Sequence, residues 1–190
     1  MSNLANYLVQ HSKKYLIFDF DETLFTLEMP WEEYQREMKF RLHQFDPDFS
    51  EFEDVYDWEN AITKKYGAKV AAIRWNYSAE FEGKYSKNEV QEQYDLTDFI
   101  REQGKKYQLF VWTSNMRSTA EPVLEKAGLL SFFSQLVTKG DVLLMKPDPE
   151  GFYKIFDPAT QKKSKFLMIG NGDHDRDAAS AAGIDFWLRP

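Results

Sequence analysis

The sequence has no cysteine among its 190 residues. That excludes disulfides, thiolate metal sites and cysteine nucleophiles, and it suits a reducing compartment. Long apolar runs are also missing, since no stretch approaches the roughly 18 uninterrupted apolar residues of a membrane span. Nor is there an excess of positive charge. With 24 Lys and Arg against 31 Asp and Glu, the formal charge is −7. Nucleic-acid and anionic-membrane surfaces both need clustered cations, so neither partner is expected. Residues 1–14 lack the order of basic region, apolar run and small-residue cleavage site that marks a signal peptide. What the chain does have is apolar and aromatic bulk, 43% and 16% of its residues, which excludes a disordered chain. The expectation is a soluble cytoplasmic protein, one domain of ordinary size with room for an insert.

Three short apolar runs each end in polar residues. Tyr15 to Phe18 leads into Asp19-Phe20-Asp21-Glu22-Thr23, Leu109 to Trp112 into Thr113-Ser114-Asn115, and Phe166 to Ile169 into the loop Gly170 to Asp175. Continuous runs of this length fit strands buried on both faces. Gln135 to Thr138 and Phe186 to Leu188 are further strands, the second at an edge. Helices alternate with them. Leu96 to Gln103 stops at Gly104, a capping box at Ser118-Thr119-Ala120-Glu121 opens a helix to Ala127, Asp148-Pro149 starts another, and Asp175 to Ala182 ends at Gly183. This alternation predicts an α/β fold, a Rossmann-like doubly wound parallel sheet.

Residues 28–95 interrupt the alternation with a run of helices over Trp31 to Phe45, Glu51 to Tyr66 and Ala68 to Phe81. Capping boxes are expected at Ser50-Glu51-Phe52-Glu53 and Ser86-Lys87-Asn88-Glu89. The division is thus an α/β core of residues 1–27 and 96–190 and an inserted all-helical cap of residues 28–95. That segment carries 9 basic and 16 acidic residues, the whole of the net −7, and 14 of the 31 aromatic side chains. Such a composition fits helices with solvated acidic faces over an aromatic core. It would also disfavour polyanionic ligands and leave room for a small substrate with an apolar or cationic portion.

Asp19 and Asp21 leave a strand at i and i+2, where ligands bind in a parallel α/β sheet. One carboxylate could be a nucleophile and the other a general acid, or both could serve as turn and capping residues. Thr113 and Ser114, with free backbone amides, could cradle a phosphoryl oxygen or simply cap the next helix. Lys146, set between an apolar run and two prolines, could neutralise charge on a transferring phosphoryl group. The oxygen-rich loop Gly170 to Asp177 suits a hard cation such as Mg²⁺, or is turn chemistry alone. His174 has no second histidine or cysteine nearby to complete a transition-metal site.

Taken together and in this order, these residues resemble the haloacid dehalogenase-like superfamily of hydrolases. Asp19 to Thr23 matches its first motif, D-x-D-x-T; Thr113 matches the second, Lys146 with Pro147 the third, and Gly170 to Asp175 the fourth. The resemblance implies a Mg²⁺-dependent phosphatase in which Asp19 attacks phosphorus to form an aspartyl-phosphate. Asp21 would protonate the leaving group and then activate water, while Thr113, Ser114 and Lys146 would hold the phosphoryl oxygens. The metal would sit on Asp19, the Asp21 carbonyl and the fourth motif. That motif departs from the family, because Asn171 stands where an Asp is usual. In one register Asn171 pairs with Asp175, and in the other Asp173 pairs with Asp177. The first keeps the family's spacing to Ala-Ala-Gly and is preferred, with Asp173 as a helper.

The second Asp of the first motif is absent from members that remove halide from carbon, so phosphate esters are implied. The placement of the insert resembles the phosphoglycolate phosphatase and β-phosphoglucomutase branch, whose caps select a small phosphorylated metabolite. The same residues would serve a sugar phosphomutase, or a binding and regulatory member that has lost turnover.

Overall fold

The computed structural model describes residues 3–50 and 52–189; Met1, Ser2, Glu51 and Pro190 lie outside it. In chain order the elements are α1 (Asn3–Gln10), β1 (Tyr15–Phe18), β2 (Phe25–Leu27), α2 (Trp31–Phe45), α3 (Val55–Tyr66), α4 (Ala68–Tyr85) and β3 (Val90–Glu92). There follow α5 (Tyr94–Gln103), β4 (Gln108–Trp112), α6 (Arg117–Lys126), β5 (Phe133–Val137), α7 (Glu150–Ile155), β6 (Phe166–Gly170), α8 (Asp173–Ala182) and β7 (Asp185–Leu188). Five strands form a parallel sheet in the order β5-β4-β1-β6-β7. No helix among the described residues is long and apolar enough to cross a membrane.

The apolar runs work as strands because successive side chains enter opposite layers. Leu16, Phe18, Leu109, Val111, Leu167 and Ile169 face Leu4 and Leu8 of α1, Leu96, Phe99 and Ile100 of α5, and Ala120 and Leu124 of α6. Tyr15, Ile17, Phe110, Trp112, Phe166 and Met168 face Phe152 and Ile155 of α7 and the alanines of α8. Each run is therefore apolar throughout. A third cluster, Tyr34, Met38, Leu42, Val55, Trp58, Ile62, Val70, Tyr77 and Phe81, gives α2–α4 a core of their own.

Several local expectations need correction. The Ser118 box does not form, for α6 starts at Arg117 after Met116 with no side-chain cap. Asp54 rather than Ser50 caps α3, its carboxylate accepting from the amides of Tyr56 and Asp57. Ser86 ends α4 instead of opening a helix, and the chain then enters β3, which pairs antiparallel with β2. The inserted segment is therefore not wholly helical. Gly104 ends α5 in right-handed geometry, φ −55°, and continues into a short 3-10 turn. Its small size matters more than its conformation, since a Cβ there would meet Leu109 at 3.0 Å and Phe132 at 3.2 Å.

Candidate active site

The sheet reverses its winding at β1, which lies between β4 and β6. A crevice therefore opens beyond the carboxyl ends of these three strands, the usual ligand position in such sheets. A cavity of about 370 Å³ occupies it, lined among others by Asp19, Asp21, Ser114, Lys146, Asn171 and Asp175. Six of the seven anticipated site residues thus converge there from four separate loops. Thr113 is the exception: it is buried, its hydroxyl donating to Asn115 Oδ1 at 2.8 Å and accepting from the Asn115 amide at 3.0 Å.

Lys146 is the centre of the charge arrangement. Its Nζ lies 2.6 Å from Asp19 Oδ1, 2.5 Å from Asp175 Oδ1 and 3.2 Å from the Trp112 carbonyl. Burial pulls its pKa down, but Asp175 and Asp19 together carry it up to about 12, so the ammonium is retained. Asp19 is pushed up to about 6, first by burial and then by Asp175, with Lys146 opposing both. Thr23 Oγ1 donates to Asp19 Oδ2 at 3.1 Å. Asp21 is pushed up further, to about 7, chiefly by burial and despite the Leu27 amide donating to its Oδ1 at 2.9 Å. Burial thus holds both carboxyls above the usual carboxylate range.

The loop that follows them is tightly turned. Glu22 adopts φ 55°, a region that L side chains seldom enter. It is held by Arg189 Nη1 donating to its carbonyl at 2.7 Å and Asn171 Nδ2 donating to its Oε2 at 3.0 Å. Gly170 permits the other wall, because a Cβ at that position would stand 2.3 Å from Asp175 Oδ2. Of the two fourth-motif registers, the geometry brings Asp175 to Lys146, while Asp177 is exposed and pairs with Arg176. Asp173 lines the rim, with 83% of its side chain exposed.

The resemblance would place a metal on the carboxylates of Asp19 and Asp175, the Asp21 carbonyl and the Asn171 amide oxygen, and all four residues line the cavity. That set fits Mg²⁺, which takes hard oxygen ligands and keeps several waters. Burial is the main cause of the raised Asp19 pKa, and the Asp175 charge that adds to it would be offset by an added cation. His174 Nε2, by contrast, lies 3.9 Å from Asp54 Oδ1 and 4.0 Å from Asp57 Oδ1, with its ring edge-on to Tyr56.

Trp31, Gln35 and Tyr56 of α2 and α3 also line the cavity, as do Glu22 and Asn115. Sequence reading did not single these out. The aromatic enrichment of residues 28–95 was the available signal, and it carried no positions.

Comparison with known proteins bears on the family and the fold. The family described as Haloacid dehalogenase-like hydrolase matches residues 16–188. Pyrophosphatase PpaX of Halalkalibacterium halodurans is 33% identical over 91 residues, 48% of this chain and 41% of that protein. A second PpaX, from Bacillus velezensis, is 33% identical over 90 residues, again 41% of its length. The chain thus spans less than half the length of these relatives. Among solved structures, a HAD-superfamily hydrolase of subfamily IA from Geobacter sulfurreducens superposes with a TM-score of 0.58 at 23% identity, over 93% of this chain and 89% of the other. YfnB from Bacillus subtilis, bound to magnesium, gives 0.56 at 21%, over 93% and 86%. These likenesses show the fold.

Proposed function

Because the chain belongs to the haloacid dehalogenase-like hydrolase family, we propose that it is a Mg²⁺-dependent phosphatase acting on small phosphate monoesters through an aspartyl-phosphate. The single observation that carries this reading is the arrangement of Asp19 and Asp175 about one buried ammonium, with Asp21 two residues beyond Asp19.

Asp19 is the nucleophile. Its ionised carboxylate attacks phosphorus, the bond to the leaving oxygen breaks, and Asp21 gives that oxygen a proton. With its pKa raised to about 7, Asp21 still holds a proton at neutral pH in a good fraction of molecules. Once deprotonated it takes a proton from water, which opens the acyl phosphate and frees phosphate. Lys146 and Ser114 bind the phosphoryl oxygens, and Thr113 joins them through local rearrangement of its bond to Asn115. Asp19, the Asp21 carbonyl, Asn171 and Asp175 would hold Mg²⁺, which would offset repulsion between the anionic nucleophile and the anionic ester. Residues 28–95 form the cap, and α2 and α3 shape the leaving-group side through Trp31, Gln35 and Tyr56.

A Mg²⁺-dependent screen of many phosphate monoesters, with Asp19→Asn as control, tests the proposal. Turnover of at least one ester by the wild type and its loss in Asp19→Asn are expected. Full activity in Asp19→Asn, or none in the wild type on any monoester, overturns it.

A further inference from the structure

The loop that delivers Lys146 to the site, residues 139–146, has few bonds to the sheet. Its backbone polar groups must nonetheless be satisfied where they are buried. The amides of Leu143 and Leu144 end on the Glu150 carboxylate of α7, and the Lys139 amide on the Asn115 carbonyl; other partners come from α3 and α4. Asn60 is buried on α3, and its Nδ2 donates to the Met145 carbonyl at 2.8 Å while its Oδ1 accepts from the Met145 amide at 2.9 Å. Both backbone groups of the residue before Lys146 therefore end on one side chain. On α4, Arg74 Nη2 donates to the carbonyls of Val142 and Leu143, each at 3.0 Å, and Trp75 Nε1 donates to the Lys139 carbonyl at 2.9 Å. Contact also runs the other way, for buried Lys139 donates to Ser78 Oγ at 3.0 Å.

Stability alone does not account for these choices. Arg74 is fully buried and its Nε and Nη1 have no partner among the described residues. Glu59 and Lys139 are buried near it, and Glu82 is buried against Lys139. Apolar packing would hold two surfaces together at lower desolvation cost. Directional bonds to successive backbone groups give something apolar contact lacks, a single register of the loop against the helices. Lys146 needs that register, because its ammonium must reach two carboxylates at 2.6 and 2.5 Å.

We propose that Asn60 and Arg74 are positioning residues that set the backbone of residues 142–146 and so hold Lys146 between Asp19 and Asp175. The inserted helices then build the phosphate-binding half of the site as well as covering its leaving-group half. This rests on the reading of Lys146 as a phosphate-binding group, and the test separates the two.

The variants are Asn60→Ala and, as a stability control in the core of the helical segment, Leu42→Ala. Amide hydrogen exchange at Met145, whose N–H loses its acceptor in Asn60→Ala, is measured first and needs no substrate. It should accelerate at least tenfold in Asn60→Ala and stay at the wild-type rate in Leu42→Ala. On the best monoester from the screen, kcat should fall about tenfold or more in Asn60→Ala, as misplacement of a charge-bearing group predicts. Leu42→Ala should lower the melting midpoint while keeping kcat within about twofold. Unchanged Met145 exchange in Asn60→Ala overturns the proposal whether or not a substrate is found. So does an equal loss of kcat in both variants at matched loss of stability. A wild type inactive on every monoester overturns the proposed function, while the exchange measurement still decides whether Asn60 holds the loop.

Discussion

Asn171 shows how one side chain can serve two neighbours at a charged site. Its Nδ2 donates to Glu22 Oε2 at 3.0 Å, and its Oδ1 faces Thr23 Oγ1 at 3.4 Å. A carboxylate at this position would set like charges against each other in the metal-free protein. With a divalent cation bound, the same carboxylate would add attraction that an amide oxygen cannot supply. Asn171→Asp should therefore lower the melting midpoint without metal and raise it more steeply on adding Mg²⁺. The Mg²⁺ concentration for half-maximal activity should fall roughly tenfold, a difference of about 1.4 kcal/mol. Thermal melts across a Mg²⁺ series and activity titrations measure both effects. An unchanged or higher Mg²⁺ requirement would remove Asn171 from the metal site and return attention to Asp173.

The turn of residues 139–141 that leads into the Lys146 loop is closed by one carboxylate. Asp141 Oδ2 accepts from the Thr138 amide at 2.8 Å, the Thr138 hydroxyl at 2.7 Å and Arg117 Nη2 at 2.9 Å. Burial alone would raise its pKa, but the Thr138 bonds and Arg117 outweigh it and hold the group below 3.8. A depressed carboxyl stabilises the fold above its unfolded pKa and loses that contribution as pH falls through its folded pKa. Asp141→Asn should thus cost about 1 kcal/mol at pH 7, the usual worth of such a cap. Denaturant unfolding of both proteins should converge as pH drops from about 4 towards 3, and an equal gap at pH 7 and pH 3 would show the charge to be idle.

Elements of this kind also mark where the sequence was readable. The central strands β1, β4 and β6 were legible because apolar character on both faces leaves a nearly unbroken run. β5 and β7 have exposed polar positions and showed only as the shorter runs Gln135 to Thr138 and Phe186 to Leu188. The β2–β3 ribbon was not legible, since each strand has three residues and the pairing joins positions more than 60 apart. The Ser118 and Ser86 boxes failed because S-x-x-E records only a possible local bond, and tertiary packing decided the helix ends. Residues at strand ends could be ordered into a site by spacing. Trp31, Gln35, Tyr56 and Asn60 could not, because their places depend on how three helices fold back over the sheet.

At the scale of the whole molecule, charge distribution sets a limit on the substrate. Residues 28–95 carry the entire formal charge of −7. The cavity beneath them is lined by Asp19, Asp21, Glu22, Asp173 and Asp175, and Lys146 is the one Lys or Arg on its described wall. Bound Mg²⁺ would offset part of that excess and one phosphoryl group would use it. A second phosphate would meet no further cation. Near a protein surface two unit charges 4 Å apart interact by about 4 kcal/mol, whereas a tenfold preference needs only about 1.4 kcal/mol. Electrostatics should therefore dominate selection even after solvent screening. The relatives named pyrophosphatase match less than half their length here, so their name does not decide the matter. We expect kcat/KM for pyrophosphate and for sugar bisphosphates to be at least tenfold below that for a monoester with an uncharged ring or chain able to lie against Trp31 and Tyr56 and bond to Gln35. Raising ionic strength from about 0.01 to 0.15 M shortens the screening length from about 30 to 8 Å, so the gap should narrow with salt. A preference for pyrophosphate, or a gap that salt leaves untouched, would mean that the acidic wall does not select the substrate.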